Sequence, residues 1–451
     1  MKKSQRLRWQ ATALMTVTVL GVAACSSSSS SSASSSTSSS AALTASAPGI
    51  TSTTITIGSH QPLTGPAADP YGQIAPASTA YFDYVNAHGG VYGRKIVYKY
   101  INDAYDPATT ASVVRQLVLQ DNVYAIFNGL GTPTHLAAVS FINSEKVPDL
   151  FVASGCGCWD QPSMYPETFG YQLDYVREGK ILGQYVEQHF KGKKIGYFYQ
   201  DDEFGLDGVK GLNYEIPSTQ VVSKQSYVTT NVNIAPQVAA LRASGAQVVV
   251  AYSIPAFTAL LKLYGLKLGY NPTLVVSDVN SDVYSLDQLL QAFAKQSGAT
   301  VNGSQLTNGI ITDNYAPPNS DTSNSWVALF KMIHDQYDTS QPWDGQAFYG
   351  EAVAYAFVQA MFKAGRNPTR ADLVSAVQSG LSVGPVLAPY AYSTTNHDGV
   401  TGAYMAVMQN GGLVQEGPVL TTDTSATGPI TTYTGAAQTA PASGIPSASS
   451  S

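Results

Sequence analysis

The sequence predicts an α/β chain built as two doubly wound, Rossmann-like lobes. Short apolar runs alternate with segments of helical period along most of its length. About 370 residues lie between two low-complexity ends, too many for one compact core and suited to two domains. Residues 123–159, VYAIFNGLGTPTHLAAVSFINSEKVPDLFVASGCGCW, condense the pattern into strand, glycine-rich turn, helix, strand and a second tight turn. Residues 123–127 and 147–152 are the apolar runs, and Leu136, Ala137, Val139, Phe141 and Ile142 share one helical face, which predicts a parallel βαβ unit. Ligands of such sheets collect where strand carboxyl ends meet loops. Here those loops, 128–134 and 153–160, are rich in small hydroxyl residues and nearly uncharged, a surface suited to holding a small molecule rather than attacking it.

At the start of the chain, Lys2, Lys3, Arg6 and Arg8 precede a mostly apolar run, residues 11–24. That run falls short of the ~20 residues that span a bilayer, so residues 1–24 read as an export signal. Val22-Ala23-Ala24-Cys25 resembles the bacterial lipobox, which implies lipidation of Cys25 and anchorage to the outer face of the cytoplasmic membrane. Two acyl chains suffice for stable retention. Residues 26–52, almost all Ser, Ala and Thr, are expected to form a flexible tether with a reach of roughly 30 Å. A low-complexity tail is expected over 421–451. Removing the signal takes four basic residues from 24 and leaves 20 against 30 acidic ones, formally −10. An acidic chain without a basic patch argues against nucleic acid as a partner.

In the first lobe, residues 53–59 form a strand with Ile55 and Ile57 alternating with Thr, followed by a turn and a helix carrying Ala80, Tyr81, Tyr84 and Val85 on its apolar face. A strand at 95–101, a turn at 102–107 and a helix to Gln120 lead into the βαβ unit, giving four strand-then-helix beats. PLTGPAADPYG after the first strand, then NAHGGVYGRKI, NDAYDPATTASVVRQLV, GLGTPTHLAAV and KVPDLFVASG, resemble the solute-binding lipoproteins of branched-chain-amino-acid-type ABC importers. The resemblance runs from Thr54 to Asp398 and implies the type I periplasmic-binding-protein fold, with three crossings forming a hinge about a shared cleft.

Further on, strands are expected at 169–175 (the first crossing), 194–199, 220–227, 247–252 and 273–277, with helices over 178–189, after 200–208, over 234–243 and from Pro255. The chain is expected to return at 309–317, add helices over 325–336 and 345–364, and cross again within 384–407. The expected parts are therefore lobe I at 53–172 and 309–384, lobe II at 173–308, and the lobe II return with hinge at 385–420.

The resemblance implies that first-lobe loops hold a ligand's carboxylate and ammonium, through Thr132 and Thr134, Ser154 and Cys156, with Asp278 of the second lobe completing the ammonium site. Hydroxyls and amides at a helix start favour an anion and a strand-end carboxylate favours a cation. Thr132, Thr134 and Asp278 also have the ordinary reading of helix caps. Tyr71 and Phe204 match family positions packing on the ligand's body, and Trp159, Tyr252 and Tyr315 fall on loops facing the expected cleft. Cys156 and Cys158 depart from the family pattern; a disulfide and free thiols both remain open, and no metal site is expected.

The chain lacks a Gly-x-Ser-x-Gly elbow, a His-Glu-x-x-His pair and a phosphate-binding glycine loop ending in Lys-Ser or Lys-Thr. Of six histidines only His60 and His135 fall on cleft-side loops. The expectation is a non-enzymatic, monomeric receptor without cofactor that captures a small amino acid or related carboxylate or amide by hinge closure and delivers it to an ABC permease. The alternatives are a sensory receptor of the same fold and an extracellular hydrolase using His60 or His135.

Overall fold

The computed structural model describes residues 42–447, and all of these but Ala42 belong to one compact unit. The expected export signal, Cys25 and the tether up to residue 41 lie outside the described residues.

The first lobe runs β1 (Thr54–Gln61), α1 (Ala68–Tyr71), α2 (Ile74–Ala87), β2 (Lys95–Asn102), α3 (Pro107–Leu119), β3 (Ile126–Phe127), α4 (Thr132–Ser144), β4 (Asp149–Val152) and β5 (Thr168–Gly170). The second contributes α5 (Tyr175–His189), β6 (Ile195–Gln200), α6 (Glu203–Glu215), β7 (Val221–Tyr227), α7 (Ala235–Ala243), β8 (Val248–Tyr252), α8 (Pro255–Lys267), β9 (Thr273–Val276), α9 (Val283–Gln296), α10 (Gly303–Thr307) and β10 (Ile311–Asn314). The chain then returns through α11 (Ser325–Tyr337), α12 (Gly345–Ala364) and α13 (Arg370–Gln378), and ends with β11 (Gly402–Gln409), β12 (Gly412–Thr421) and β13 (Thr431–Thr432).

The first sheet is parallel with order β2-β1-β3-β4-β5. The second repeats that order as β7-β6-β8-β9-β10, and β11, β12 and β13 extend it antiparallel. Both faces of such strands are covered by helices, and β8, VVVAY, is buried at every position. Helix starts follow short polar side chains: Asp106, Asp174, Asp202, Asn324 and Asp344 each accept backbone N–H groups of the turn that follows.

Three connections between the lobes lie side by side. Gly170 N donates to His397 O, Val400 N to Tyr171 O, and Leu387 N to Tyr315 O. Both ends of the fold differ from the expectation of free low-complexity chain. Ile50 is buried, Arg94 donates to Thr44 O, and Ser46 Oγ donates to Pro368 O, so the stretch before residue 52 is seated on the first lobe. The segment after 421 forms β13, supplies carbonyls to Lys180 Nζ from Asp423, Ser425 and Gly428, and then reaches the first lobe, where Trp326 Nε1 donates to Gln438 O and Tyr81 to Gly444 O. Small residues are the physical reason: they leave backbone carbonyls accessible to buried donors that need partners.

Candidate functional site

In an open sheet of this order the switch point lies between β1 and β3, and the loops that follow them carry the site. Gly131, at φ 100°, turns the chain out of β3; a Cβ there would lie 2.5 Å from the Tyr105 ring. Thr132 follows at the start of α4, which no side chain caps. Its hydroxyl shares a 2.7 Å hydrogen bond with Ser154 Oγ, tying the loop after β3 to the loop after β4.

Beneath this platform lies a fully buried chain of four side chains. Asp103 Oδ2 meets His60 Nδ1 at 2.8 Å, His60 Nε2 meets His135 Nδ1 at 2.9 Å, and His135 Nε2 meets Asp149 Oδ2 at 2.8 Å. Burial pushes the His60 imidazole down despite Asp103. Gly129 crosses directly over the pair: a Cβ would come 2.5 Å from His60 Nε2. Both histidines are thus locked under the loop with no exposed surface, contrary to the hydrolase alternative that placed them on the cleft side.

Two adjoining cavities of about 70 and 40 Å³ lie between the lobes and share Tyr71, Gln172, Val279 and Gln346. Tyr71, Thr132, Phe204, Asp278 and Tyr315 line them, joined by Tyr105, Tyr171, Tyr175 and Tyr349. Tyr71 OH donates to Val279 O at 3.0 Å, a direct link from the first lobe to the second. Among the described residues, no Lys, Arg or His lines either cavity.

The other expected site residues lie behind this lining. Thr134 is buried and donates to Leu130 O. Ser154 reaches the cleft only through Thr132. Cys156 is bonded to Cys158, so both sulfurs are occupied by each other although Asp207 stands close by. Trp159 is buried edge-on against His135 and donates from Nε1 to Ser154 O. Tyr252 packs behind Phe204 and Tyr175, its hydroxyl toward Glu178. Loop position alone did not reveal that these side chains turn inward.

Sequence reasoning also missed the surroundings of Asp278. Its backbone N–H donates to Glu178 Oε1 at 2.6 Å, and Glu178, in the first turn of α5, faces both Asp278 and Asp313 of β10. All three carboxyls are buried. Burial first, and then one another's charge, push all three well above the usual carboxylate range. The cations of α5 are committed elsewhere, Arg177 to Asp398 and Lys180 to the segment after 421. No motif announces this cluster, because Glu178 lies 100 residues before Asp278 and Asp313 falls on a separate strand.

A family profile described as periplasmic binding protein matches residues 54–412. The Leu/Ile/Val-binding protein homolog 7 of Brucella abortus is 28% identical over 242 residues, 50% of this chain and 58% of that one. The chain thus spans under two thirds of the length of the first such relatives. The homolog 8 of the same organism is 25% identical over 341 residues, 72% of this chain and 80% of that one. Among solved structures, a possible leucine/isoleucine/valine-binding protein from Rhodopirellula baltica superposes with a TM-score of 0.70 at 19% identity, covering 81% of this chain and 96% of that chain.

Proposed function

The chain belongs to the periplasmic binding protein family, with its type I fold, and we propose that it is the extracytoplasmic receptor of an ABC importer, closing its two lobes on a small amino acid or a related carboxylate or amide. Membership itself makes it a solute-binding protein rather than an enzyme.

The observation that carries the reading is the opposition of unlike chemistry across one cleft. On the first lobe, Thr132 offers a hydroxyl and an uncapped helix start, which favour a carboxylate. On the second, Asp278 offers a carboxylate to an ammonium. Tyr71, Phe204 and Tyr315 would pack on the solute's body. The cavities together are smaller than the ~150 Å³ that holds a benzene ring, so admitting a leucine-sized solute requires the lobes to part and the Tyr71–Val279 bond to break.

Among the described residues no helix is long and apolar enough to cross a membrane. Retention at the membrane as a monomer through lipidated Cys25, beside a permease, completes the proposal and rests on the lipobox resemblance. A sensory receptor sharing the fold is the alternative, distinguished by whether the solute enters cells through a cognate permease.

The test is a thermal-shift screen of the mature protein against amino acids, carboxylic acids, amides and sugars. A solute at a hundredfold its Kd should add about 2.7 kcal/mol. Absence of any shift across all classes would refute the receptor reading.

A further inference from the structure

We propose that Glu178 and Asp313 back Asp278 as a shared proton store, so that the cleft selects solutes bearing a primary ammonium or similar cationic N–H donor and releases a proton as that cation docks. This deepens the receptor reading and rests on it.

The geometry is the first ground. Glu178 Oε1 accepts the Asp278 amide at 2.6 Å while its carboxyl faces both Asp278 and Asp313. Carboxyls in mutual contact, away from water, cannot all be ionised.

The charged and titratable groups that face the cluster come from every element packed on it. They are Tyr175 of α5, Tyr252 of β8, Tyr71 of α1, Tyr315 after β10, Tyr349 of α12 and Tyr404 of β11. None is a cation. The negative charge that would develop here therefore has no resident counter-ion, and a proton supplies its place.

The second ground is the excess of buried acceptor oxygens over donors in the cluster. Among the described residues, Asp278 Oδ1, Glu178 Oε2 and both oxygens of Asp313 meet no hydrogen-bond donor from outside the cluster except the hydroxyl of Tyr252, a residue 1% exposed that faces Glu178. Buried acceptors in excess call for a donor. A quaternary ammonium has none to give, whereas a primary ammonium offers three N–H groups. Asp278 alone among the three borders the cleft, so the cation meets Asp278, and Glu178 and Asp313 adjust their protons behind it.

The step balances without any redox partner. The solute enters already cationic, one protein carboxylic acid loses its O–H proton to solvent, and the carboxylate formed offsets the charge that entered. Release of one proton per site makes affinity rise about tenfold per pH unit across the range in which the store titrates.

The experiment uses the mature chain with L-leucine and L-phenylalanine, their deaminated counterparts 4-methylpentanoate and 3-phenylpropanoate, and the N-trimethyl form of each amino acid. Thermal shift at pH 6 and 8 selects the binding probes. Calorimetry in two buffers of different ionisation enthalpy then counts protons on the unaltered protein. Glu178→Gln and Asp313→Asn are measured in parallel.

The expected result is that only primary amines bind, that close to one proton leaves per site, and that each substitution reduces the release and flattens the pH dependence. Deaminated or trimethylated probes binding as well as the amines, or a primary amine binding with no proton release at either pH, would overturn the proposal and leave the receptor reading intact. Binding confined to solutes without an amine would do the same. No shift with any solute class in the wider screen would overturn the receptor reading itself.

Discussion

Ending the chain after Thr434 should destabilise the protein measurably, although the residues removed are mostly Ala, Ser, Thr, Gly and Pro. The deletion takes away the acceptors of Trp326 Nε1 (Gln438 O), Tyr81 OH (Gly444 O), Tyr84 OH (Ser443 O) and Gly384 N (Gln438 Oε1). Neutral hydrogen bonds of this kind contribute about 1 kcal/mol each, and Tyr81 is left as a fully buried hydroxyl without a partner, which raises the total to about 4–5 kcal/mol. For roughly 400 residues unfolding together, an entropy of about 2.1 cal/mol/K per residue converts that to a Tm lower by about 5 °C. Differential scanning calorimetry of full-length and truncated protein without added solute is the assay. A second truncation, after Leu420, also removes β13 and the acceptors of Lys180 Nζ and Arg177 Nη1 and should cost more. A Tm within about 1 °C of full-length for both truncations would refute the claim that this tail is a structural part of the fold.

Asp278→Asn should weaken amino-bearing solutes about thirtyfold or more, read by calorimetry; a loss under about threefold would reject its role. Asp149→Asn should cost about 1–3 kcal/mol in denaturant unfolding, because Asp149 Oδ2 is the buried partner of both His135 Nε2 and Thr168 Oγ1; a change under about 0.5 kcal/mol would contradict that arrangement. Asp174 and Asp344 are each pushed up to about 8, by burial first and then by Asp398 and Asp282 respectively. Both keep their proton in the folded chain where the unfolded chain has lost it, so the stability they contribute is fully present below about pH 4 and lost as pH rises through 8. Tm should therefore fall between pH 6 and 9, and a Tm that climbs over that window would be inconsistent with these shifts. Cys25→Ala should release the protein from membranes into the medium, scored by fractionation and by mass of the mature N-terminus.

The alternation of strands and helices was legible because parallel strands covered on both faces are continuous apolar runs, as in 248–252, and because acids and Asn at loop ends mark helix starts. Helices α9, α10 and α13 were not anticipated, although Val283, Leu286, Leu289, Leu290 and Phe293 give α9 a clear helical period. Thr132 and Asp278 were legible as site candidates because they sit where strands end. Trp159 and Tyr252 sit near the same ends, yet their side chains turn into the core, and direction is set by packing that no local pattern encodes. Glu178 resembles any acid in a helix's first turn and Asp313 a polar break in a strand; only the fold brings them behind Asp278. The tail was misjudged on composition, since what holds it is backbone carbonyls, which every sequence supplies.

The most direct test of the central claim is a crystal structure of the mature protein with the solute that stabilises it most. The account predicts that solute between the lobes, its carboxylate against Thr132 and the start of α4, its ammonium on Asp278, with Tyr71 closed over it. A solute bound outside the interlobe cleft, or one held there without touching either Thr132 or Asp278, would contradict it.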